Sequence, residues 1–360
     1  MGSPRYHIAP MVDQSELPFR MLCRRHGAQL GYTPMFHSRL FAESDKYRAE
    51  QWSTCQADRP LLAQFCANDP EYFLAAAKLV APHVDGVDLN LGCPQRIARR
   101  GRYGAFLMDD IPLVEALVSK LAKELSVPVT VKIRMFPDTA DPSRPDVAAT
   151  VDYARRMEAA GAYLVAIHGR TRDQKNAKEI RADWGVIKAV KEALHVPVLG
   201  NGDVRSRADA DELMAVTGVD GVLSAISLLD DPGLFDDARC EKPATSLDKC
   251  RLLTEYLQLA KEHRVPMRMV KGHVHHLLGD WLQEHTDLRD DILHNGRELT
   301  LDRLLHLAEE MGRRIEESGR DHPVPKLSER QLARQKKEAA LAAAVAEQQR
   351  EDAAMEGIGH

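Results

Sequence analysis

The sequence predicts an α/β fold, a closed (β/α)8 barrel, followed by a smaller all-α domain and a charged, alanine-rich helical tail. Eight short apolar or β-branched runs alternate with longer amphipathic stretches, which is typical of parallel strands joined by helices. Polar residues follow directly after most of these runs. An open doubly wound sheet would show the same alternation, but polar residues at so many strand ends favour a barrel, whose strands deliver side chains to one mouth.

The predicted strands are separated by segments with helical periodicity. The strands are predicted at Tyr6–Ala9, Leu30–Thr33, Leu61–Phe65, Val87–Leu91, Val129–Ile133, Leu164–Ile167, Val198–Gly200 and Gly221–Ser224. Helical patterns lie at Tyr72–Val80, Leu113–Leu125, Val147–Ala160, Trp184–Leu194 and Ala208–Val216. Asp69 and Pro70 suit the N-cap and first position of a helix, and Gly161 and Gly218 suit left-handed C-caps.

The strand pattern stops after Phe235. Four helical patterns follow, at Leu247–His263, Met267–Leu278, Trp281–Asp291 and Leu299–Ser318. We therefore divide the chain into a barrel at 1–238, a linker at 239–246 that contains Pro243, a helical domain at 247–325 and a tail at 326–360. The tail combines alanines with alternating charges and has no firm heptad stripe, so we expect a solvated, mobile helix.

Composition and charge exclude several classes of protein. With 49 basic and 54 acidic residues the formal net charge is -5, so any nucleic-acid contact must come from a local patch. No apolar run approaches the roughly 20 residues of a membrane-spanning helix, and the N-terminus lacks a secretory pattern. The six cysteines include no Cys-x-x-Cys pair, which argues against a metal site and a disulfide scaffold. We expect a cytoplasmic protein, or a nuclear one in a eukaryotic cell, without membrane association, metal or an identifiable stable protein partner.

Three of the predicted strands end in groups that suit catalysis or phosphate binding. Lys132, inside Val131–Arg134, is flanked by β-branched residues and is expected to point into the barrel. It could form a Schiff base with a carbonyl substrate, stay protonated to stabilise negative charge, or snorkel to solvent. Asn201–Asp203 and Ser224–Ala225 follow the last two strands, whose loops commonly bind phosphate through backbone N–H groups. Asn-Gly-Asp is also ordinary turn chemistry.

Cys93 follows the fourth predicted strand on a turn that Gly92 and Pro94 make rigid. The segment from Leu89 to Met108 contains no acidic residue and carries four arginines, at Arg96, Arg99, Arg100 and Arg102. Such a setting would favour a thiolate and attract an anionic substrate. A reactive thiol and a small buried hydrophobe are both compatible with this position.

Two further polar side chains are candidates for binding a cofactor. His168 could hydrogen-bond a cofactor or phosphate from the sixth strand, or it could be a satisfied structural histidine. Gln64 offers an amide at the third strand, which can donate and accept as recognition of a heterocycle requires. Alternatively, Gln64 caps a neighbouring loop.

The same positions form a set of motifs in one order, at Ala9–Val12, Gln64–Phe65, Asp88–Gln95, Arg100–Leu107, Val131–Arg134, Val165–Thr171 and Gly200–Asp203. This constellation, above all Asn-Leu-Gly-Cys-Pro beside Lys-Ile-Arg and His-Gly-Arg, resembles the tRNA-dihydrouridine synthase family from about Tyr6 to Phe235. Tyr103–Leu107 and Cys66–Pro70 are most similar to the eukaryotic branch that acts on D-loop uridines 16 and 17.

The resemblance implies an FMN enzyme in which NAD(P)H reduces the flavin and the flavin delivers hydride to C6 of a tRNA uracil. The family's motif cysteine protonates C5, which places that role on Cys93. The resemblance assigns FMN contacts to Pro10, Met11, Val12, Gln64, Lys132, His168, Asn201, Gly202, Asp203, Ser224 and Ala225. Asn90 and Arg134 are adjacent candidates for substrate contact. Many members have Gly-Arg where this chain has Ser224–Ala225, so phosphate contact there would use backbone or hydroxyl.

The resemblance also implies that the helical domain grips tRNA. Val265–Gly279 contains no acidic residue, and a basic helical face is predicted from the spacing of Arg264, Arg268, Lys271 and His275. The same spacing fits an ordinary solvated face. The other candidate tRNA contacts lie beside Cys93, at Arg96, Arg99 and Arg100.

Two other functions stay open from the sequence. A class I aldolase would use Lys132 as the Schiff-base amine and Asn201–Asp203 to hold a sugar phosphate. A tRNA-binding protein that has lost catalysis would keep flavin and tRNA but leave uridine unreduced, and the presence of Cys93 argues against it.

Overall fold

The computed structural model describes residues 3–174, 179–239, 242–294 and 299–324. Its centre is a set of parallel strands, β1 (Tyr6–Ile8), β2 (Leu30–Tyr32), β3 (Leu61–Cys66), β4 (Gly86–Leu91), β5 (Val129–Arg134), β6 (Leu164–His168), β7 (Val198–Asn201) and β8 (Gly221–Ser224). Each strand pairs with the next, and β1 also pairs with β8, so the sheet closes. The predicted (β/α)8 barrel is confirmed, with all eight predicted strands in place.

Helices surround the barrel in the expected alternation. They are α1 (Leu17–Arg25), α2 (Ser38–Glu43), α3 (Asp45–Gln51), α4 (Pro70–Val80), α5 (Arg96–Gly101), α6 (Ile111–Glu124), α7 (Val147–Ala159), α8 (Trp184–Ala193), α9 (Arg207–Thr217) and α10 (Ile226–Asp230). Asp69 caps α4 by accepting from the backbone N–H groups of Glu71 and Tyr72, as predicted. Five helices, α1, α2, α3, α5 and α10, were not predicted, because each has nine residues or fewer and shows only a short periodic apolar face.

Three two-residue strands lie outside the eight-stranded set. Phe36–His37 pairs with the end of β3, and Phe136–Pro137 pairs antiparallel with Pro145–Asp146. The last two form a small ribbon after β5, on the side of the barrel where the strands end.

The barrel interior changes from apolar to polar along the strands. An apolar cluster inside the barrel contains Leu62, Ala166 and Leu199, among others. Side chains two residues apart on a strand share a face. The residues two positions further along the same strands therefore also face inward, and these are Gln64, His168 and Asn201. The polar layer lies at the C-terminal ends of the strands, the end where barrel enzymes bind their ligands.

A helical region follows the barrel, with α11 (Ser246–Glu262), α12 (Met267–Glu284), α13 (Thr286–His294) and α14 (Leu301–Ser318). A helix break predicted near Gly279 is wrong, because α12 continues to Glu284 with Leu278, Trp281 and Leu282 buried on one face. A methyl group at Gly279 would meet no atom within 4 Å. The predicted tail at 326–360 lies outside the described residues. No helix in the described ranges is long and apolar enough to cross a membrane.

A buried polar cluster joins the barrel to the helical region. The Glu16 carboxylate, just before α1, accepts from the Tyr256 hydroxyl at 2.8 Å and lies 3.0 Å from Nε2 of His273. The His273 ring also stacks on Phe19, with centroids 4.5 Å apart. Burial acts to raise the pKa of Glu16, but His273 and Tyr256 outweigh it and leave that pKa below its ordinary value. The cluster fixes the helical region against the loop that follows β1.

Candidate active site

Strand register gathers the predicted polar residues at one end of the barrel. Gln64 pairs with Asp88 across β3 and β4, and Asn90 pairs with Lys132 across β4 and β5. On the other side of the barrel, His168 pairs with Asn201 across β6 and β7. Segments more than 130 residues apart in the chain therefore face one mouth.

Lys132 is buried at this mouth, with 9% of the residue exposed. Its Nζ donates to Oδ1 of Asn201 at 2.9 Å, and Nδ2 of Asn201 donates to the Leu223 carbonyl at 3.0 Å. Burial, with a contribution from the Arg134 charge, lowers the pKa of Lys132 to about 8. An ammonium group has three N–H donors, and the described residues supply an acceptor for one of them. Lys132 therefore does not snorkel to solvent, and it has donors free for a ligand.

A directed chain of hydrogen bonds runs from the Cys93 loop to the barrel core. The backbone N–H groups of Gly92 and Cys93 donate to Oδ1 of Asn90 at 3.1 and 3.0 Å. Nδ2 of Asn90 donates to Oε1 of Gln64, and Nε2 of Gln64 donates to Oδ2 of Asp88, each at 2.8 Å. Because the backbone groups donate and the carboxylate accepts, both amides have one possible orientation. We call this series of hydrogen bonds the amide relay.

Asp88 ends the amide relay and was not predicted as a site residue. It is fully buried, and its Oδ1 accepts from the Thr130 hydroxyl at 2.5 Å. Burial raises the pKa of Asp88 to about 6, against the hydrogen bonds from Thr130 and Gln64 and the charge of Lys132. The two-residue spacing of Asp88 and Asn90 on one strand is the signal that could have identified it, because it places both side chains on the inner face.

Cys93 is half-buried on a loop that its neighbours fix from several sides. Its carbonyl accepts from the Ala105 N–H at 3.1 Å, and a side chain at Gly104 would come within 2.8 Å of that carbonyl oxygen. Nε of Arg134 donates to the Gly92 carbonyl at 2.6 Å. A Cβ atom at Gly92 would lie 3.6 Å from the Lys132 carbonyl oxygen and 3.7 Å from the Arg134 side chain, so the turn that carries Cys93 lies against the strand that carries both cations. The structure thus brings the predicted acid and the predicted ammonium together.

Arg134 and Asn90 act on the loop through its backbone. Besides its bond to Gly92, Arg134 donates to the Thr171 carbonyl at 2.9 Å, so its guanidinium ties the β4 loop to the β6 loop. Burial lowers the pKa of Arg134 to about 10. Both residues were predicted as substrate contacts, and the bonds of the described residues make them positioning groups for Cys93 as well.

His168 is held in a single neutral tautomer. Nη1 of Arg170 lies 3.1 Å from Nε2 of His168, and a guanidinium can only donate. Nε2 must therefore carry the lone pair, which leaves Nδ1–H as the donor. Burial, together with the charges of Arg134, Lys132 and Arg170, holds the pKa of His168 well below its ordinary value. His168 thus presents a fixed N–H donor beside Lys132.

Asp203 is bound within the protein through its side chain. Its carboxylate accepts from Nη2 of Arg170 at 2.5 Å and from the Ala182 N–H at 2.6 Å, and it lies 3.3 Å from Arg181 and Arg205. Its φ of 61° and the φ of 123° at Gly202 turn the backbone sharply after β7. Any ligand contact by Asp203 is therefore through this backbone turn.

The loops after β7 and β8 form a cradle that suits a phosphate. A Cβ atom at Gly202 would lie 2.6 Å from that of Ala182, so the backbone turn requires glycine. Within the described residues the N–H groups of Gly202, Asp203 and Ala225 have no acceptor. Ser224 is buried, and its hydroxyl donates to the Val204 carbonyl at 2.9 Å. The Ser224 hydroxyl, considered above as a phosphate contact, thus already donates its hydrogen bond within the protein. The backbone N–H groups are the donors that remain available to an anion.

The donor set at the mouth fits FMN. The ammonium of Lys132 and the Nδ1–H of His168 suit the electron-rich edge of a flavin, and the cradle of backbone N–H groups suits its phosphate. Pro10, Met11 and Val12 follow β1, beside β8, where the Ala9 N–H donates to the Ser224 carbonyl. They lie at the same mouth, with Val12 52% exposed.

A cationic helix follows Cys93 directly. Arg96, Arg99 and Arg100 are exposed on α5, and no carboxylate of the described chain pairs with them. Their positions suit contact with a polyanion at the mouth.

The basic face predicted for the helical region is partly wrong. Because α12 begins at Met267, after Pro266, Arg264 lies in the preceding loop and does not continue the face. Arg268 makes two hydrogen bonds to Asp13, at 3.0 and 3.2 Å, so a barrel carboxylate partly neutralises it. Lys271 and His275 do lie on α12, and burial with the charge of Lys271 lowers the pKa of His275.

Comparison with known proteins gives a consistent result. The family model described as dihydrouridine synthase matches residues 7–316. The chain is 45% identical over 294 residues to a rat protein named tRNA-dihydrouridine(16/17) synthase (NAD(P)(+))-like, an alignment that covers 81% of this chain and 64% of the relative. It is 44% identical over 306 residues to the tRNA-dihydrouridine(16/17) synthase (NAD(P)(+)) of Schizosaccharomyces pombe, covering 81% of this chain and 73% of the relative.

Among solved structures, a 6-hydroxypseudooxynicotine amine oxidase from Pseudomonas geniculata N1 superposes with a TM-score of 0.51 at 12% identity. The match covers 70% of this chain and 50% of that one. At this identity the likeness concerns the fold alone.

Proposed function

The chain belongs to the dihydrouridine synthase family, and from that premise we propose that it reduces a uridine of tRNA to 5,6-dihydrouridine with electrons from NAD(P)H. The observation that supports this most directly is the convergence of Lys132 and Cys93 at one barrel mouth, beside a cradle of backbone N–H groups. The names of the rat and yeast relatives support uridines 16 and 17 of the D-loop as the positions reduced.

FMN is the cofactor in this proposal. When bound, it would supply the hydride, received from NAD(P)H, to C6 of the uracil. Lys132 and His168 would hold its electron-rich edge with the donors that the described protein leaves free, and Gln64 would lie beside them in an orientation set by the amide relay. The N–H groups of Gly202, Asp203 and Ala225 would bind its phosphate.

Cys93 completes the reduction by giving its thiol proton to C5. Addition of hydride at C6 leaves negative charge on the C5 side of the ring, and a proton donor there removes it. Cys93 suits this role because it is half-buried and its loop is fixed by Asn90, Arg134 and Ala105. Arg134 donates to the Gly92 carbonyl, and Lys132 lies on the strand against which this turn packs, so both cations lie close to the Cys93 loop while solvent returns the proton.

The tRNA backbone would be held by cations around the mouth. Arg96, Arg99 and Arg100 on α5 come directly after Cys93, and Lys271 on α12 lies on the helical region. Arg264 and Arg268 stay candidates, with Arg268 required to exchange Asp13 for a phosphate. The uridine must leave its stack to reach the mouth, as in other enzymes that act on a base.

The test is to purify the protein, record its absorbance and map dihydrouridine in tRNA. We expect flavin absorbance that NAD(P)H bleaches, and dihydrouridine at positions 16 and 17 when tRNA from a strain lacking the modification is added. Borohydride trapping of a carbonyl substrate on Lys132 would instead favour an aldolase. Tight tRNA binding with bound flavin but no dihydrouridine would favour a protein that has lost catalysis. Either result would overturn the proposal.

A further inference from the structure

A cleft of about 590 Å³ lies on the outer side of the Cys93 loop. It is lined by Asn68 after β3, by Arg99, Arg102 and Phe106 after β4, and by Pro112 and Leu113 at the start of α6, with Asp109 and Asp110. These segments all lie at the C-terminal ends of strands or the N-terminal ends of helices. The cleft therefore opens at the same end of the barrel as the mouth, and the amide relay does not use it.

The cleft is joined to the Cys93 loop through backbone contacts. Phe106 follows Ala105, whose N–H donates to the Cys93 carbonyl at 3.1 Å. Nδ2 of Asn68 donates to the Gly101 carbonyl at 2.8 Å, which connects the wall after β3 to α5. A ligand in the cleft would thus lie within one or two residues of the catalytic loop.

The free charge in the cleft is positive. The Asp109 carboxylate pairs with Arg172 at 2.6 Å, and Oδ1 of Asp110 accepts from the Leu113 N–H at the start of α6. Arg172 therefore neutralises Asp109, whereas Asp110 caps α6 and keeps its charge. Arg102 is exposed, and the described residues give its guanidinium no hydrogen bond or carboxylate partner. Within the described residues Arg99 and Arg102 thus have no carboxylate partner, and their two positive charges outweigh the single charge of Asp110 in the cleft.

Phe106 provides an aromatic surface in the cleft. Its side chain is half-exposed and packs at its base against a cluster that contains Cys66, Ala98 and Tyr103. The guanidinium carbons of Arg99 and Arg172 lie 6.0 and 5.6 Å from the ring centroid, both near the outer limit of a cation–π contact, so a base that stacks on the ring would displace one of them. An aromatic face, unpaired arginine and a side-chain amide are the groups that bind unstacked RNA bases.

We propose that this cleft binds a second, unstacked nucleotide of the RNA substrate, with its base on Phe106, its edge at Asn68 and its phosphate at Arg102. The identity of the ligand rests on the proposed function. A uridine that enters the mouth breaks the stack with its neighbour, and the covalent backbone keeps that neighbour close to Cys93. The cleft stabilises the exposed neighbour and so lowers the free energy needed to extrude the uridine.

Substitutions of Phe106 separate stacking from packing. Phe106→Leu keeps an apolar side chain but removes the aromatic face, and Phe106→Trp enlarges that face. We expect Phe106→Leu to weaken tRNA binding and raise the KM for tRNA about tenfold, and Phe106→Trp to stay near wild type, since base stacking is worth about 1–3 kcal/mol. NAD(P)H should bleach the flavin of both variants at the normal rate, which would show that the flavin site is intact, and kcat at saturating tRNA should stay near wild type, which would show that the Cys93 loop is intact. Unchanged tRNA affinity in Phe106→Leu, or equal losses in Leu and Trp variants, would overturn the proposal.

Arg102→Gln tests the phosphate contact without touching the core. We expect weaker tRNA binding and a salt dependence whose slope falls by about 0.7, the value for one contact to a single strand. Lys123→Gln is the matched control, because Lys123 is exposed in the last turn of α6, at the opposite end of the helix from the cleft. An unchanged slope in Arg102→Gln, or an equal change in both variants, would overturn the phosphate assignment.

Binding of a short single-stranded oligoribonucleotide separates this proposal from the proposed function. If the wild type forms no dihydrouridine but binds the oligoribonucleotide in a manner that needs Phe106 and Arg102, the function fails and the cleft stands. If dihydrouridine forms normally in Phe106→Leu and Arg102→Gln with unchanged KM, the function stands and the cleft proposal fails.

Discussion

Asp88→Asn isolates the charge that Asp88 provides from its place in the amide relay. An asparagine at this position can still accept from Nε2 of Gln64 and can donate to the Thr130 hydroxyl, so the relay keeps its direction. What is lost is the negative charge near the Lys132 ammonium. We therefore expect the variant to fold and to bind flavin, with a changed pH dependence.

The size of the effect follows from the strand register. Asn90 is the direct partner of Lys132, so Asp88 is its diagonal neighbour on the adjacent strand. At about 7 Å and an effective dielectric constant near 20, the two charges attract by about 2 kcal/mol, or about 1.5 pH units. The pKa of Lys132 is about 8 in the wild type. The variant should therefore lose its ammonium form about 1.5 pH units lower than the wild type.

The assay is the rate of dihydrouridine formation between pH 5.5 and 9. The protonated lysine is the active form, so the wild-type rate should fall as pH rises through about 8. In Asp88→Asn the same fall should occur about 1.5 units lower. Thr130→Ser is the matched control, because it alters the residue that contacts Asp88 but keeps the 2.5 Å hydrogen bond and the carboxylate. A basic limb at the same pH in wild type and Asp88→Asn would refute the electrostatic role of Asp88.

Two further substitutions test the cradle and the junction with the helical region. Gly202→Ala should lower flavin content more than tenfold, because its Cβ would lie 2.6 Å from that of Ala182. Gly279→Ala is the control and should bind flavin normally, because the space around Gly279 is open. Equal flavin content in the two variants would contradict the role of the cradle in flavin binding. Glu16→Gln should lower the free energy of unfolding at pH 7 by about 3 kcal/mol, because it breaks a buried pair. The pKa of Glu16 is lower in the folded than in the unfolded protein. The extra free energy of unfolding of the wild type over Glu16→Gln is therefore fully present above the unfolded-state pKa, and it is lost as pH falls through the folded-state pKa. If the urea midpoints of wild type and Glu16→Gln differ by the same amount at pH 7 and at pH 3, the charge of Glu16 does not have this stabilising role.

The fold was predictable because the strands are buried on both faces. Runs such as Leu164–Ile167 are continuously apolar, and each is followed by a helical period, so their order predicts a parallel barrel. The mouth residues were predictable for the same reason, since polar side chains at the ends of buried strands can only face the mouth. Lys132 is an example of a residue whose neighbours in sequence already indicate its direction.

Long-range pairing explains what the sequence could not indicate. Arg268 pairs with Asp13, which lies 255 residues away, and no local pattern predicts that neutralisation. The role of Asp88 depends on which residues face it across β3 and β5, and this register is set by the closed barrel. The cleft at Phe106 likewise needs Asn68 and Arg102 from different loops.

The most direct test of the account is a single turnover of the flavin-loaded enzyme, reduced beforehand and mixed with unmodified tRNA in deuterated water. The wild type should give dihydrouridine with one deuterium at C5, because the exchangeable Cys93 thiol supplies the hydrogen at that position. Cys93→Ala should keep its flavin and its tRNA affinity but react at least a hundredfold more slowly. Reduction by Cys93→Ala at the wild-type rate, with the same label at C5, would contradict the assignment of Cys93 as the proton donor at this mouth.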